Sequence, residues 1–473
     1  MVEMKRRKEE RTYYRFACGI LLTLVSTGLF FAVWYAFVKT HNQTGALTGY
    51  GNLGMSVLIY AFLYSFTAYR ISGFKIGVTR KADTIAANVI ALLITDVAEV
   101  FISMAITGQF RFFGHFVLRY AALFILQSLL IGFLTILMID VFRRIYPPIR
   151  VVEIHGDYVN DVCLKMSGIR SKYSITDRLH YKDAGIMDAM ETCDAVLIND
   201  IPSKARNRIL KYCFDHNVRV YFVPKISDII IKASDDLNLI DTPLYLCRNN
   251  DISFFERIVK RACDVFFSLL AIVLLSPVFL ITALAIKIDD GGPVFYKQER
   301  VTIGNKRFMI IKFRSMIVDA EKDGKSHPAG EHDDRITRVG RVIRAIRVDE
   351  LPQLFNILKG DMSIVGPRPE RVEHVEKYTA DIPEFTFRSK VKGGLTGYAQ
   401  VYGKYNTTAL DKLKLDLFYI MNYSILVDVQ IILETLKILF QKESTEGFSE
   451  ERAREMHDAD VTKAADERET VHK

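Results

Sequence analysis

The sequence predicts a membrane protein in three parts. These are a four-helix transmembrane unit, a small α/β domain of Rossmann-like shape, and an α-rich C-terminal domain that carries one more long apolar segment. Three observations lead there. Half of the 473 residues are hydrophobic although a quarter are charged, and the apolar ones crowd toward the N-terminus. Four long apolar stretches fill the first third of the chain. Beyond them the composition turns polar, with short apolar runs first and then an ordered series of arginine, carboxylate and proline motifs. A chain of this length has room for two or three domains.

The four stretches cover residues 16–38, 51–68, 84–106 and 113–139. Each is near the ~20 residues a helix needs to cross a bilayer. The first lacks a cleavage pattern and reads as a retained span. Basic residues set the direction. Lys5, Arg6, Arg7, Lys8, Arg11 and Arg15 precede the first span, Arg70, Lys75, Arg80 and Lys81 separate the second from the third, and Arg143, Arg144 and Arg150 follow the fourth. The opposite loops carry only Lys39 and Arg111. Both ends of the unit, residues 1–148, are therefore expected in the cytoplasm. Arg119, inside the fourth span, is expected to pair or to snorkel to an interface. No row of buried polar groups of the kind that lines a transport pathway is expected among the spans.

The formal charge of +8 points to a membrane surface and its lipids. Nucleic acid is not an expected partner, because no zinc-finger spacing and no basic–aromatic pattern occurs. The six cysteines form no Cys-x-x-Cys pair, as in a chain facing a reducing compartment.

Residues 149–250 return to a water-soluble composition. Strands are expected at Arg150-Val-Val-Glu-Ile-His-Gly156, Asp194-Ala-Val-Leu-Ile-Asn-Asp200 and Val218-Arg-Val-Tyr-Phe-Val-Pro224, with helical segments at 188–192 and 204–216. Short apolar strands alternating with helices predict a parallel sheet. His155-Gly156-Asp157 lacks the glycines that cradle a pyrophosphate, so a structural, regulatory or dimer-forming module is the better reading.

Residues 262–286 are almost unbroken apolar sequence, interrupted by Asp264 and by Ser276-Pro277. Proline inside a helix predicts a kink. Lys260 and Arg261 lie before the segment and Lys287 after it, so basic residues favour neither end for the outer face. A kinked span and a helix that enters and leaves on one side both fit. Downstream, Phe308-Met-Ile-Ile-Lys-Phe-Arg-Ser-Met316 reads as a strand with Lys312 and Arg314 on one face. The pair could hold a diphosphate, or the strand could simply be solvated. Arg335, Arg338, Arg341, Arg344 and Arg347 recur every third residue, as in a helix at a membrane surface or an ordinary amphipathic helix. Asp349 and Glu350 follow at once, and Arg368 stands between two prolines in Gly366-Pro-Arg-Pro-Glu370. Carboxylates beside fixed guanidinium groups suit chemistry on a metal-bound phosphate.

Residues 260–440 resemble the bacterial sugar transferases, the polyprenol-phosphate phosphoglycosyl transferases. The resemblance rests on Lys260-Arg261-x-x-Asp264, the Ser276-Pro277 helix, Lys312-Phe-Arg-Ser-Met316, Asp349-Glu-Leu-Pro-Gln353, Leu358-Lys-Gly-Asp-Met-Ser363, Gly366-Pro-Arg-Pro369 and Lys392-x-Gly-Leu-Thr-Gly-Tyr-Ala-Gln400. The preceding spans and α/β module resemble the large form of that family, such as the glucose or galactose phosphotransferases. The resemblance implies a monotopic catalytic domain, residues 251–440, with a re-entrant helix at 262–286 on the cytoplasmic side of a bacterial inner membrane. A charged tail, 441–473, would follow. It implies transfer of a sugar-1-phosphate from a UDP-sugar to undecaprenyl phosphate with release of UMP. Asp349 would be the nucleophile, and Glu350, with Asp349, would bind Mg²⁺. Lys312 would assist, while Arg314, Arg344, Arg368 and Gln400 would contact substrate phosphates or sugar. Arg261 and Asp264 would anchor the membrane helix, and Ser276 and Pro277 would kink it. Homodimerisation is among the roles open to the four-span unit. A glycosyltransferase releasing UDP and a non-enzymatic membrane sensor are the competing readings.

Overall fold

The computed structural model describes residues 2–41, 50–157, 160–247, 252–318, 320, 333–403 and 407–439. The expected charged tail lies outside the described residues. The chain divides into two compact units, Met1–Val223 and Pro224–Lys473.

The first unit opens with α1 (Val2–His41), α2 (Tyr50–Arg70), α3 (Lys81–Thr107) and α4 (Phe113–Ile145). α3 lies along α4, and α2 packs on both α1 and α3. Glu9–His41, Lys81–Thr107 and Phe110–Ile145 are long and apolar enough to cross a membrane. Their outer faces show large exposed side chains such as Leu118, Leu129 and Phe133, a surface suited to lipid and not to water. The protein is accordingly a membrane protein.

The interior of these helices corrects one expectation. Thr84, Asn88, Thr95, Asp96, Glu99 and Ser103 form a buried row along α3, faced by buried Tyr60, Tyr64, Tyr120 and Gln127. Steps of three and four residues place the polar groups on one helix face. Apolar neighbours turned toward lipid hide that face from any average over the segment.

A parallel sheet follows, built from β1 (Ile149–His155), α5 (Val162–Ser167), β2 (Tyr173–His180), α6 (Ile186–Thr192), β3 (Ala195–Asn199), α7 (Ser203–Asp215) and β4 (Arg219–Phe222), in strand order β2-β1-β3-β4. The central strands β1 and β3 are buried almost throughout, which explains their continuous apolar sequence. β2 was not anticipated. It is an edge strand with Asp177 and Arg178 exposed mid-strand, so it lacks a buried-strand signature.

The second unit begins with α8 (Ile226–Lys232) and a hairpin of β5 (Asp235–Leu239) and β6 (Thr242–Leu246). Ile229 of α8 packs in one core with Phe385, Leu417, Tyr419 and Ile431. α9 (Phe254–Leu274) starts at a capping box, in which the Ser253 hydroxyl accepts from the Glu256 amide and the Glu256 carboxylate accepts from the Ser253 amide. α10 (Ser276–Asp290) follows after Leu275, and the two helices bend by 61°. Pro277 has no N–H for the carbonyl of Val273, one turn back. The Ser276 hydroxyl donates to that carbonyl instead, at 2.8 Å.

Antiparallel β7 (Phe295–Val301) and β8 (Arg307–Phe313) come next, then α11 (Arg338–Ala345), α12 (Gln353–Lys359), β9 (Met362–Val365), α13 (Val372–Asp381), β10 (Gly393–Thr396), α14 (Tyr398–Tyr402), α15 (Ala409–Met421) and α16 (Ile425–Leu439). β9 and β10 pair in parallel. The arginine-rich helix is shorter than its repeat suggests. Thr337 caps its start by accepting from Gly340 N–H at 2.9 Å, while Arg335 folds back onto Asp333. Ile343 is buried, but Val342 and Ile346 stay exposed, so the aliphatic residues do not form a single buried face.

Candidate active site

Asp349 and Glu350 lie in a single 3₁₀ turn, Val348–Glu350, between α11 and α12. Arg347, just before it, adopts the left-handed conformation at φ 56°. A non-glycine residue held there costs about 1–3 kcal/mol, so the surrounding packing enforces the turn.

Two elements bring cations to Glu350. Lys312 Nζ, on β8, donates to Glu350 Oε1 at 2.9 Å, and Arg368 donates to the same oxygen at 2.8 Å. Register between β8 and α12 is set by Asn356, a buried residue absent from the expected site. Its amide nitrogen donates to Met309 O at 2.8 Å and its carbonyl accepts from Ile311 N–H at 3.0 Å. It thus completes the open edge of β8 as a partner strand would.

Arg368 is presented by the Gly366–Glu370 loop. Gly366 donates to Thr396 O and Gly394 donates to Pro367 O, at 2.8 and 2.9 Å. A Cβ on Gly366 would fall 2.3 Å from Lys392 O, and one on Gly394 would fall 2.1 Å from Gly366 N. Only glycine permits this approach. Beneath the loop, Arg388 donates to Arg368 O at 2.9 Å and pairs with buried Asp416 at 2.8 Å, while Lys412 pairs with Glu370 at 2.9 Å. These groups come from elements far apart in sequence.

Burial and charge set the two carboxylates apart. Burial opposes the charge on Glu350, but Arg368 and Lys312 outweigh it and hold the carboxyl well below the usual range. Burial raises the pKa of Asp349; Lys312 opposes that rise, and neighbouring Glu350 adds to it. Lys312 is lowered by burial, with Glu350 opposing. A third cation, Arg300 of β7, was also missed. It donates to Pro369 O at 3.2 Å and to Gln298 at 2.7 Å. Burial, reinforced by Arg368, lowers its pKa to about 10. Arg300, Lys312, Gln353 and Arg368 line one recess. A glutamate pinned between cations, with a second carboxylate beside it, can receive and polarise a phosphate-bearing ligand.

The remaining expected residues fall in other places. Arg344 is within electrostatic reach of Asp349. Arg314 lies beyond the end of β8 and pairs with Asp290, away from Lys312's partner. Gln400 sits on α14 with its side-chain oxygen buried and no hydrogen bond to it. Arg261 donates to the carbonyls of Ile357 and Leu358 at 2.6 and 2.7 Å, closing the C-terminus of α12. Asp264, 4% exposed, accepts from Ser363 Oγ and Ile364 N–H at 3.1 and 2.9 Å. These contacts hold α9 against α12 and β9, the two elements that follow the turn bearing the carboxylates. Among the described residues no group of three His, Cys, Asp or Glu is assembled. Two adjacent carboxylates remain a fitting donor set for Mg²⁺, which takes one or two carboxylates and fills its shell with phosphate oxygens and water.

Residues 255–442 match the family model for the bacterial sugar transferases. Over 235 residues the chain is 40% identical to a UDP-N-acetylgalactosamine-undecaprenyl-phosphate N-acetylgalactosaminephosphotransferase of Aeromonas hydrophila, covering 49% of this chain and 55% of that protein. It is 35% identical over 271 residues to a UDP-glucose:undecaprenyl-phosphate glucose-1-phosphate transferase of Klebsiella pneumoniae, covering 55% and 56%. It is 37% identical over 193 residues to the exopolysaccharide production protein ExoY of Sinorhizobium fredii, covering 38% of this chain and 84% of that one. The chain thus spans about half the length of the first two relatives and most of the third.

Proposed function

The chain belongs to the bacterial sugar transferase family, and from that premise we propose that it transfers a sugar-1-phosphate from a UDP-sugar to undecaprenyl phosphate and releases UMP. The observation that carries the reading is Glu350 held by Lys312 and Arg368 directly beside Asp349. The relatives named for their substrates act on UDP-glucose or UDP-N-acetylgalactosamine. Those names support a hexose donor, in our reading one of the glucose or galactose type, feeding exopolysaccharide, capsule or O-antigen synthesis.

Two displacements at one phosphorus account for the residues. Asp349 Oδ attacks the sugar-bearing phosphorus, the bond to the UMP oxygen breaks, and an acyl phosphosugar forms. A phosphate oxygen of the lipid then attacks the same phosphorus and frees the Asp349 carboxylate. Dividing the transfer keeps donor and lipid phosphates from having to crowd together at once. Lys312, Arg368 and Arg300 offset charge on the diphosphate, with Arg344 near the nucleophile. Asp349 and Glu350 would hold Mg²⁺, which when bound supplies further charge neutralisation. The bend at Leu275 lets α9 and α10 enter and leave the inner membrane on the cytoplasmic side, while α1–α4 form four spans with both ends inside. That side holds the UDP-sugars.

The test is product analysis with purified protein, undecaprenyl phosphate and a panel of UDP-sugars. UMP and a lipid diphosphate sugar are expected. UDP and a lipid monophosphate sugar would place the chain among transferases that move the sugar alone.

A further inference from the structure

The helices of the first unit enclose two carboxylates to which, among the described residues, no basic side chain is bonded. Asp96 and Glu99 stand three residues apart on α3, 3% and 0% exposed, and are electrostatically coupled. Tyr60 of α2 donates to Asp96, Gln127 of α4 links Tyr60 to the Ser26 carbonyl of α1, and Tyr120 of α4 is within electrostatic reach of both carboxylates.

The hydrogens do not balance the acceptors. Tyr60 Oη lies 3.1 Å from both Asp96 Oδ1 and Gln127 Oε1 and has one hydrogen to give. Gln127 Nε2 donates to Ser26 O at 2.8 Å and to Tyr60 Oη at 2.9 Å. The Ser103 and Tyr120 hydroxyls bond each other at 2.7 Å. Asp96 Oδ2 and both oxygens of Glu99 are buried and receive no hydrogen bond from the described residues. Basic groups on these helices are engaged elsewhere. Arg119 of α4 lies over the Phe37 ring, His41 and His115 pack with Phe37 and Phe112, and Lys81 pairs with Asp140.

Two ionised carboxylates in this setting, served by one shared hydrogen, are strongly unfavourable. The deficit is positive charge, and the network that runs from Asp96 through Tyr60 to Gln127 and Ser26 offers hard oxygens: carboxylate, phenol, amide carbonyl and peptide carbonyl. That set suits a small hard cation and not a soft transition metal. We propose that the transmembrane bundle binds a small monovalent cation, a proton or Na⁺, at Asp96 and Glu99. The site is distinct from the Asp349 cluster and does not depend on the proposed transferase activity.

The test uses the full-length protein in lipid nanodiscs, with N-methylglucamine replacing sodium at constant ionic strength. ²²Na⁺ binding is measured by equilibrium dialysis, and carboxyl groups are followed by infrared spectroscopy across a pH series. Saturable ²²Na⁺ binding that weakens roughly tenfold or more in Glu99→Gln, at least the scale of losing an outer-shell partner of a metal site, identifies sodium. Lack of sodium binding, with a protonated-carboxyl band at neutral pH that Glu99→Gln or Asp96→Asn removes, identifies the proton. Wild-type protein with neither signal overturns the proposal, since both carboxylates would then be ionised without a bound cation. Each signal is sought first in the wild type, so a variant that fails to fold does not protect the idea. Failure of transferase activity is read separately, from UMP release.

Discussion

Replacing Asn356 by Ala isolates the stitch between β8 and α12. The side chain is 2% exposed and makes one bond to Ile311 N–H and one to Met309 O, at 3.0 and 2.8 Å. Alanine leaves both backbone groups without that partner. At about 1–2 kcal/mol for each orphaned, partly buried group, the loss is about 2–4 kcal/mol. The larger effect is expected on catalysis, because Lys312 follows Ile311 directly and Glu350 lies just upstream of α12. Loss of register separates the pair that meets at 2.9 Å, and a shift of about 1 Å can cost on the order of 10²-fold in rate. Thermal unfolding in detergent and UMP release measure the two effects. Asn356→Asp retains the acceptor toward Ile311 but sets an oxygen against Met309 O, so it should fall with Ala and not with wild type. If Asn356→Ala keeps wild-type turnover and unfolding midpoint, the stitch is not what places Lys312.

Asp349→Asn should abolish turnover while leaving the protein folded, and mass spectrometry of wild type given UDP-sugar without lipid should find a phosphosugar on Asp349; near-normal turnover in the variant removes the covalent role. Glu350→Gln should cut activity strongly and shift the Mg²⁺ titration, because it removes the anion that Lys312 and Arg368 share and a hard ligand; an unchanged titration puts the metal elsewhere. Asp349 has a raised pKa, so its reactive carboxylate is lost as pH falls through a value above the ordinary aspartate one. The acid limb of kcat/KM should lie there, and a limb at or below the usual aspartate value argues against this assignment. Glu350, held low, stays ionised through that window, and the stability it confers is lost only in stronger acid. Cys247 is exposed, so a membrane-impermeant maleimide should reach it only after permeabilisation, with Cys247→Ser as control; labelling of intact cells would reverse the proposed topology.

Local patterns carried much of this molecule. Runs of apolar residues announced α1, α3 and α4, and Pro277 announced a break near Leu275. The Asp349-Glu350 pair and the Pro-Arg-Pro loop stood out because carboxylates beside fixed guanidinium groups suit chemistry on a metal-bound phosphate. What stayed hidden depends on partners remote in sequence. Arg300 belongs to no motif of its own, and only folding places it against the Arg368 loop, where it donates to Pro369 O. The Arg388–Asp416 pair joins residues that no local pattern relates. Lys312 and Arg314 share a parity, but β8 ends at Phe313, so the second side chain takes another direction. Asp96 and Glu99 were averaged away by their lipid-facing neighbours, since composition over a segment does not register which face a residue occupies.

The grip of Arg261 on the last carbonyls of α12, and of Asp264 on the start of β9, bears on how a water-soluble form could be made. Cutting away residues 254–290 would strip the Ile357 and Leu358 carbonyls and the Ile364 amide of their partners, so the excised remainder should aggregate instead of behaving as a free enzyme. Solubility has to come from repainting. Phe266, Leu269, Val273, Leu280, Leu284 and Ile288 point outward and can be exchanged for polar residues while the inward anchors stay. The exposed apolar coat and the anchors to α12 and β9 are two sides of the same bent helix pair.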